Sequence, residues 1–154
     1  QKGEPFDVDA FRGAFERLGT GADFVVAPDV VSGGLASLRL SVAWLPQLTA
    51  ARRGLIAVQD GMTPPDVSPL LNERVGLFLG GSTEWKLKTL PLWGQVARER
   101  GCYYHVGRVN TRRRIRSCAL SGADSFDGSS VSRFAVTLAP LCAELNQGVL
   151  SCEW

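Results

Sequence analysis

Apolar residues gather in five short runs, and each run closes on a polar or glycine-rich step. The runs are Phe24-Val25-Val26-Ala27-Pro28 before Asp29, Gly54-Leu55-Ile56-Ala57-Val58 before Gln59-Asp60-Gly61, and Arg74-Val75-Gly76-Leu77-Phe78-Leu79 before Gly80-Gly81-Ser82. Tyr103-Tyr104-His105-Val106-Gly107 follows and ends at Arg108, and Ser125-Phe126 ends at Asp127. Apolar runs of this length bounded by turn residues predict buried strands.

The stretches between the runs repeat their apolar positions at helical spacing. Residues 6–18 predict an amphipathic helix with Asp9 as N-cap and Phe11, Phe15 and Leu18 on one face, ended by Gly19 or Gly21. Residues 33–51 predict a segment helical in its second part and interrupted by Pro46. Pro64, Pro65 and Pro69 leave room for one short helix. Ser82 is a good N-cap for a helix that runs to Gly101, with Leu87, Leu90, Trp93, Val96 and Ala97 as its buried face. Asn110 caps a helix over 111–120 that Gly122 stops, and a last helix is expected over 131–145.

Strands alternating with helices of ~10–15 residues predict βα units and a parallel sheet. The triplet Gly-Ala-Asp occurs twice, at Gly21-Ala22-Asp23 and Gly122-Ala123-Asp124, each time just before a strand. A repeated junction suits a (βα) barrel, although Rossmann-like sheets use similar junctions. A parallel arrangement brings every strand's C-terminal end to one face. Asp29, Gln59, Asp60, Gly80, Gly81, Arg108 and Asp127 would then form a single polar rim.

Composition narrows the class. With 154 residues, 45% apolar and 21% charged, residues 1–154 are expected to form a single globular domain with a core of its own. The net charge of +2 does not by itself mark a nucleic-acid binder. No apolar run reaches ~18 residues, and no signal-peptide pattern opens the sequence, so a cytoplasmic protein without a membrane partner is expected. Cys102, Cys118, Cys142 and Cys152 form no C-x-x-C pair and His105 is the only histidine. Reduced thiols and no structural zinc are the expectation.

The rim residues carry distinct chemistry. Asp29 accepts hydrogen bonds, and Gln59 offers one acceptor and two donors, which suits the polar edge of a heterocycle. Gly80-Gly81 lets a flat ligand approach backbone N–H and C=O groups. Asp127 is a carboxylate able to attack an electrophilic carbon or act as a base; its structural alternative is a turn residue or helix cap. Arg108 and the run Arg112, Arg113, Arg114 and Arg116 place positive charge beside the rim for phosphates, or else form a solvated helix face. His105, within its strand, reads as a packed core residue more readily than as a catalyst.

Together, Asp29, Val58-Gln59, Gly80-Gly81 and Phe126-Asp127 resemble the successive strand-end motifs of the tRNA-guanine transglycosylases, which are TIM-like (βα)8 barrels. Gln59-Asp60-Gly61-Met62, Gly80-Gly81-Ser82-Thr83-Glu84-Trp85-Lys86, His105-Val106-Gly107-Arg108-Val109-Asn110 and Ala123-Asp124-Ser125-Phe126-Asp127-Gly128 are similar to the phage and bacterial branch that puts 7-deazaguanine bases into DNA. The resemblance covers about residues 21–134. It implies that Asp127 is the nucleophile, attacking C1′ of the target nucleotide, expelling guanine and holding a covalent intermediate. It further implies that Asp29, Gln59 and the Gly80-Gly81 backbone bind the incoming 7-deazaguanine, which displaces the enzyme with retention. Arg133 matches the family's arginine six residues beyond the nucleophile and joins Arg108, Arg112 and Arg113 as an expected nucleic-acid contact.

The implied reaction needs no cofactor, and the family's zinc-binding Cys/His cluster has no counterpart here. Its partners would be DNA or tRNA and the deazaguanine base, in the cytoplasm, or in the host cytoplasm for a phage-encoded protein. Five strands are the C-terminal five βα units of such a barrel and do not close it. The chain opens on Gln1-Lys2-Gly3, and the expectation is that an upstream segment or a second chain supplies the remaining strands, the alternative being a reduced relative. Two readings of other classes remain open: a non-catalytic module binding a purine or nucleic acid, and a (βα) enzyme acting on a small phosphorylated substrate held by Gly80-Gly81-Ser82-Thr83.

Overall fold

The computed structural model describes residues 6–129 together with 139, 142 and 143. The helix expected over 131–145 lies outside the described residues, apart from those last three. Strands β1 (Val25–Val26), β2 (Gly54–Val58), β3 (Val75–Leu79), β4 (Tyr104–Val106) and β5 (Ser125–Phe126) alternate with helices α1 (Val8–Leu18), α2 (Gly34–Trp44), α3 (Pro64–Val67), α4 (Thr83–Arg100) and α5 (Arg112–Leu120). All five strands are parallel and lie side by side in chain order. They form a curled half-barrel, the (βα) barrel-type α/β fold that the alternating pattern predicts.

The sheet's two faces are filled differently. On one face Ile56, Val58, Leu77, Leu79, Tyr104 and Val106 pack against Leu90, Trp93, Val96 and Ala97 of α4 and against Ile115 and Cys118 of α5. Burying each large side chain in this layer contributes roughly 1.5–3 kcal/mol. On the other face the register aligns Ala57 with Phe78, Phe78 with His105, and His105 with Ser125. Phe24, at the foot of β1, brings its ring to 5.0 Å from that of His105 on β4. Three strand spacings would separate β1 from β4 by ~14 Å in a flat sheet. The ring contact therefore requires the sheet to curl, with this face inside.

Several elements differ from their sequence-based expectations. Asp7, not Asp9, caps α1, accepting the Ala10 N–H at 2.9 Å. Leu18 is exposed rather than buried; the helix meets its neighbour through Phe11, whose ring lies 5.2 Å from that of Trp44. The segment after Gly33 is helical in its first part, not its second, and yields to a 3₁₀ turn over Leu45–Gln47 with Pro46 inside it. On α4 the buried stripe is Lys86, Leu90, Trp93 and Ala97, a spacing of 4, 3 and 4 that leaves Leu87 outside it and exposed. Thr111, not Asn110, caps α5, accepting the Arg114 N–H. Ser82 caps α4 and Gly101 ends it in the left-handed conformation, both as predicted.

Candidate active site at the strand ends

The C-terminal ends of the strands are joined one to the next by hydrogen bonds. Between β1 and β2, Gln59 Nε2 lies 3.5 Å from Asp29 Oδ2. Between β2 and β3, Asp60 accepts the Ser82 N–H and hydroxyl, both at 2.6 Å. Between β3 and β4, the Arg108 guanidinium donates to the Gly81 carbonyl. Between β4 and β5, Asp127 accepts from the Arg108 N–H at 3.0 Å and meets His105 Nε2 at 3.1 Å. The rim is one connected polar arc.

Asp29 sits in the turn after β1, exposed at its edge, and desolvation by the surrounding protein pushes its carboxyl above the usual range. Gln59 is buried, and the two N–H groups of its Nε2 go to the Val30 carbonyl at 3.0 Å and to Ser37 Oγ at 2.9 Å. The 3.5 Å approach to Asp29 is the weakest of the three contacts. Its amide nitrogen is thus committed to the protein, leaving Oε1 as its remaining polar atom. Ser37 Oγ accepts the Val30 N–H and the Ser41 hydroxyl donates to the Pro28 carbonyl, so buried serines on α2 hold the loop that carries Asp29. Neither serine stands out in the sequence as a site residue. Their signal is a pair spaced by four on the same side of a helix as Leu38.

Gly80 donates its N–H to the Val58 carbonyl, extending the ladder. Gly81 has φ of +73°, and a Cβ there would lie 2.5 Å from Asp60 Oδ2. Both the conformation and the space require glycine. The bonds from Ser82 hold the Asp60 carboxyl below its usual range.

The Asp127 side chain is 52% exposed, whereas His105 beside it is buried. The imidazole stacks on Phe78, with ring centroids 5.1 Å apart and planes 16° from parallel. Its Nδ1 lies 2.7 Å from Ser125 Oγ, which is 2.9 Å from the Tyr103 hydroxyl. His105 is therefore both a packed residue, as its place in an apolar run suggested, and a direct neighbour of Asp127. Period two along each strand puts 103 with 105 on one face of β4 and 125 with 127 on one face of β5, and the register of His105 with Ser125 makes those two faces the same.

Lys86 was not foreseen. It is 2% exposed and donates to the Gly107 carbonyl beneath the turn bearing Arg108. Desolvation first, then repulsion from Arg108 and Arg114, lowers its pKa to about 8. Arg112 and Arg113 lie exposed in the first turn of α5, and Arg133 lies outside the described residues.

Asp124, at the opposite end of β5, accepts the Tyr104 N–H at 2.8 Å. A cleft of about 420 Å³ lies at this N-terminal end, lined by Arg53, Glu73, Arg98, Tyr103 and Asp124. Arg98 there bonds the Ser121 carbonyl, and the Arg53 guanidinium stacks 4.6 Å over the Tyr103 ring. These side chains serve the strand starts, as befits the stability face of a βα sheet.

Among the described residues no helix is long and apolar enough to cross a membrane, and no cluster of His, Cys, Asp and Glu could hold a metal ion. No family model matches the chain, and no curated protein matches it.

Proposed function

We propose that the strand-end rim is a base-exchange site of the tRNA-guanine transglycosylase type, replacing guanine in DNA or tRNA with a 7-deazaguanine. Asp127 attacks C1′ as the glycosidic bond breaks and its electron pair leaves with guanine. The deazaguanine, held by Asp29, the Gln59 carbonyl and the Gly80-Gly81 backbone, then attacks C1′ through a ring nitrogen, and the ester bond breaks to free the carboxylate. The proton lost from that nitrogen balances the one taken up by the departed guanine. Two displacements retain the anomeric configuration.

The observation that carries this reading is the setting of Asp127. Its oxygens accept one backbone N–H and face one imidazole nitrogen, while half of its side chain is open to solvent. The Arg108 guanidinium donates to the Gly81 carbonyl. A carboxylate has about four lone-pair sites, and among the described residues the Arg108 N–H and the His105 ring leave room on it for an incoming carbon. Arg108, Arg112 and Arg113 supply charge for phosphates, and further βα units in the same polypeptide or a second chain complete the barrel.

A phosphate site at Gly80-Gly81-Ser82-Thr83 is disfavoured because Asp60 already occupies the anion position at the start of α4. A second anion there would meet its repulsion. The reading is tested by incubating the complete assembly with labelled 7-deazaguanine and guanine-containing DNA or tRNA. Label in the polymer supports it, and binding of the base without incorporation points to a non-catalytic purine-binding module.

A further inference from the structure

Tyr103, Ser125, His105 and Asp127 form one continuous hydrogen-bonded line along the inner face of β4 and β5. The separations are 2.9 Å from Tyr103 Oη to Ser125 Oγ, 2.7 Å from Ser125 Oγ to His105 Nδ1, and 3.1 Å from His105 Nε2 to Asp127 Oδ2. The directions follow from the acidic end. An ionised carboxylate only accepts, so Nε2 must carry the proton that bridges to it. A neutral ring then has a bare Nδ1, which takes the Ser125 hydroxyl proton. Serine has a single proton, so its oxygen accepts from the Tyr103 hydroxyl. Each bond fixes the direction of the next.

The ring itself is clamped. Phe78 stacks on it at 5.1 Å and Phe24 approaches at 5.0 Å, and His105 is only 4% exposed. A buried ring held by aromatics and bonded at both nitrogens has one orientation available. With the Arg108 N–H on Oδ1, it pins both oxygens of a side chain that is otherwise half exposed.

We propose that His105 is a positioning residue for Asp127, locked as the Nε2–H tautomer by the Tyr103–Ser125 chain and the carboxylate, so that it aims the nucleophile. The inference rests on the base-exchange reading for its purpose, while the tautomer and its lock stand on the geometry alone. Pinning replaces a carboxylate free to rotate with one held in the attacking orientation, and a misplacement of ~1 Å at such a group costs on the order of 10²-fold in rate.

Because His105 is the sole histidine in the chain, its imidazole ¹⁵N signals need no assignment by mutation. The test is an ¹⁵N spectrum of the full chain at about pH 8, where an ordinary imidazole is neutral. A single Nε2–H tautomer in wild type, relaxing to a mixture in Asp127→Asn, is the expected result. An Nδ1–H ring, an averaged mixture in wild type, or an Asp127→Asn spectrum identical to wild type overturns the proposal. In the complete assembly, His105→Phe keeps the stacking but not the donor, and should slow covalent-adduct formation on the order of 10²-fold. His105→Gln, which restores an N–H donor, should recover part of that loss. Equal adduct rates in wild type, Phe and Gln variants overturn the positioning role. A wild-type assembly that forms no adduct at all refutes the base-exchange reading and the purpose assigned to His105, and the spectrum still decides the tautomer lock.

Discussion

Arg108 donates its backbone N–H to Asp127 Oδ1 at 3.0 Å from a left-handed backbone with φ of 58°. A side chain in that region costs about 1–3 kcal/mol unless the residue is glycine. The turn after β4 thus holds a strained residue where its N–H meets the carboxylate, and α4 supports it through Lys86 on the Gly107 carbonyl.

Arg108→Gly should relieve this strain and keep the N–H, leaving stability within about 1 kcal/mol of wild type after the entropic cost of glycine. Arg108→Val should lose roughly 1–2 kcal/mol, since a β-branched residue tolerates the left-handed region poorly. Urea denaturation of the three proteins checks this, and equal midpoints for the glycine and valine variants would refute it. Both variants should weaken nucleic-acid binding and lower its salt slope by about one counterion.

Lys86 links stability to pH. Its folded pKa of about 8 lies below the ordinary 10.5, so between these values the unfolded chain binds more protons. Stability contributed at this site therefore rises with pH through that window, as the cost of a buried charge is lifted. The buried thiols of Cys102 and Cys118, pushed up to about 11 by desolvation, act in the opposite sense: folding keeps them protonated and stability falls from pH ~9 upward. The difference between wild type and Lys86→Met reads the lysine together with its coupling to the Cys118 thiol. It should move in favour of wild type by on the order of 3 kcal/mol between pH 8 and 10.5. A difference that stays flat across that range in denaturant titrations contradicts the assignment.

Much of this architecture was legible because its signals are local. Apolar runs closing at Asp29, Gln59, Gly80, Arg108 and Asp127 fixed the strands, and sequential βα units imply a parallel sheet in chain order. What stayed hidden depends on contacts between elements. Lys86 reads as an ordinary surface lysine until the 86, 90, 93, 97 stripe is known to face the sheet. Gln59 reads as a ligand-binding amide until Ser37 and the Val30 carbonyl claim its nitrogen. The link from Tyr103 to Asp127 needs the register of β4 on β5, which no periodicity specifies.

Gly94 marks where α4 touches α5. A Cβ at that position would lie 1.9 Å from the Ser121 carbonyl oxygen, closer than any packing allows. Gly94→Ala should destabilise the fold by roughly 1–3 kcal/mol as the helices are forced apart. Gly13→Ala, on the open side of α1 with no atom within 4 Å, serves as the control and should be neutral or slightly stabilising. Thermal melts in which both variants behave alike would contradict the close helix contact.

Asp29 is the acceptor at the β1 end of the rim. Its side chain lies exposed at the rim, where a ring bearing N–H donors can reach it, and desolvation by the surrounding protein raises its carboxyl above the usual range. Asp29→Ala should weaken 7-deazaguanine binding by about 2–3 kcal/mol. Calorimetric titration showing unchanged affinity would remove Asp29 from the base pocket.

The nucleophile itself is tested by covalent trapping. The complete assembly is incubated with guanine-containing oligonucleotide and 7-deazaguanine, and run on a denaturing gel as wild type, Asp127→Asn and Asp124→Asn. Asn at 124 can still accept the Tyr104 N–H from its side-chain oxygen, so that variant keeps the fold and its carboxylate is not at the rim. A protein–nucleic acid band in wild type and Asp124→Asn that vanishes in Asp127→Asn is the predicted result. A band that survives Asp127→Asn places the nucleophile elsewhere and contradicts the mechanism.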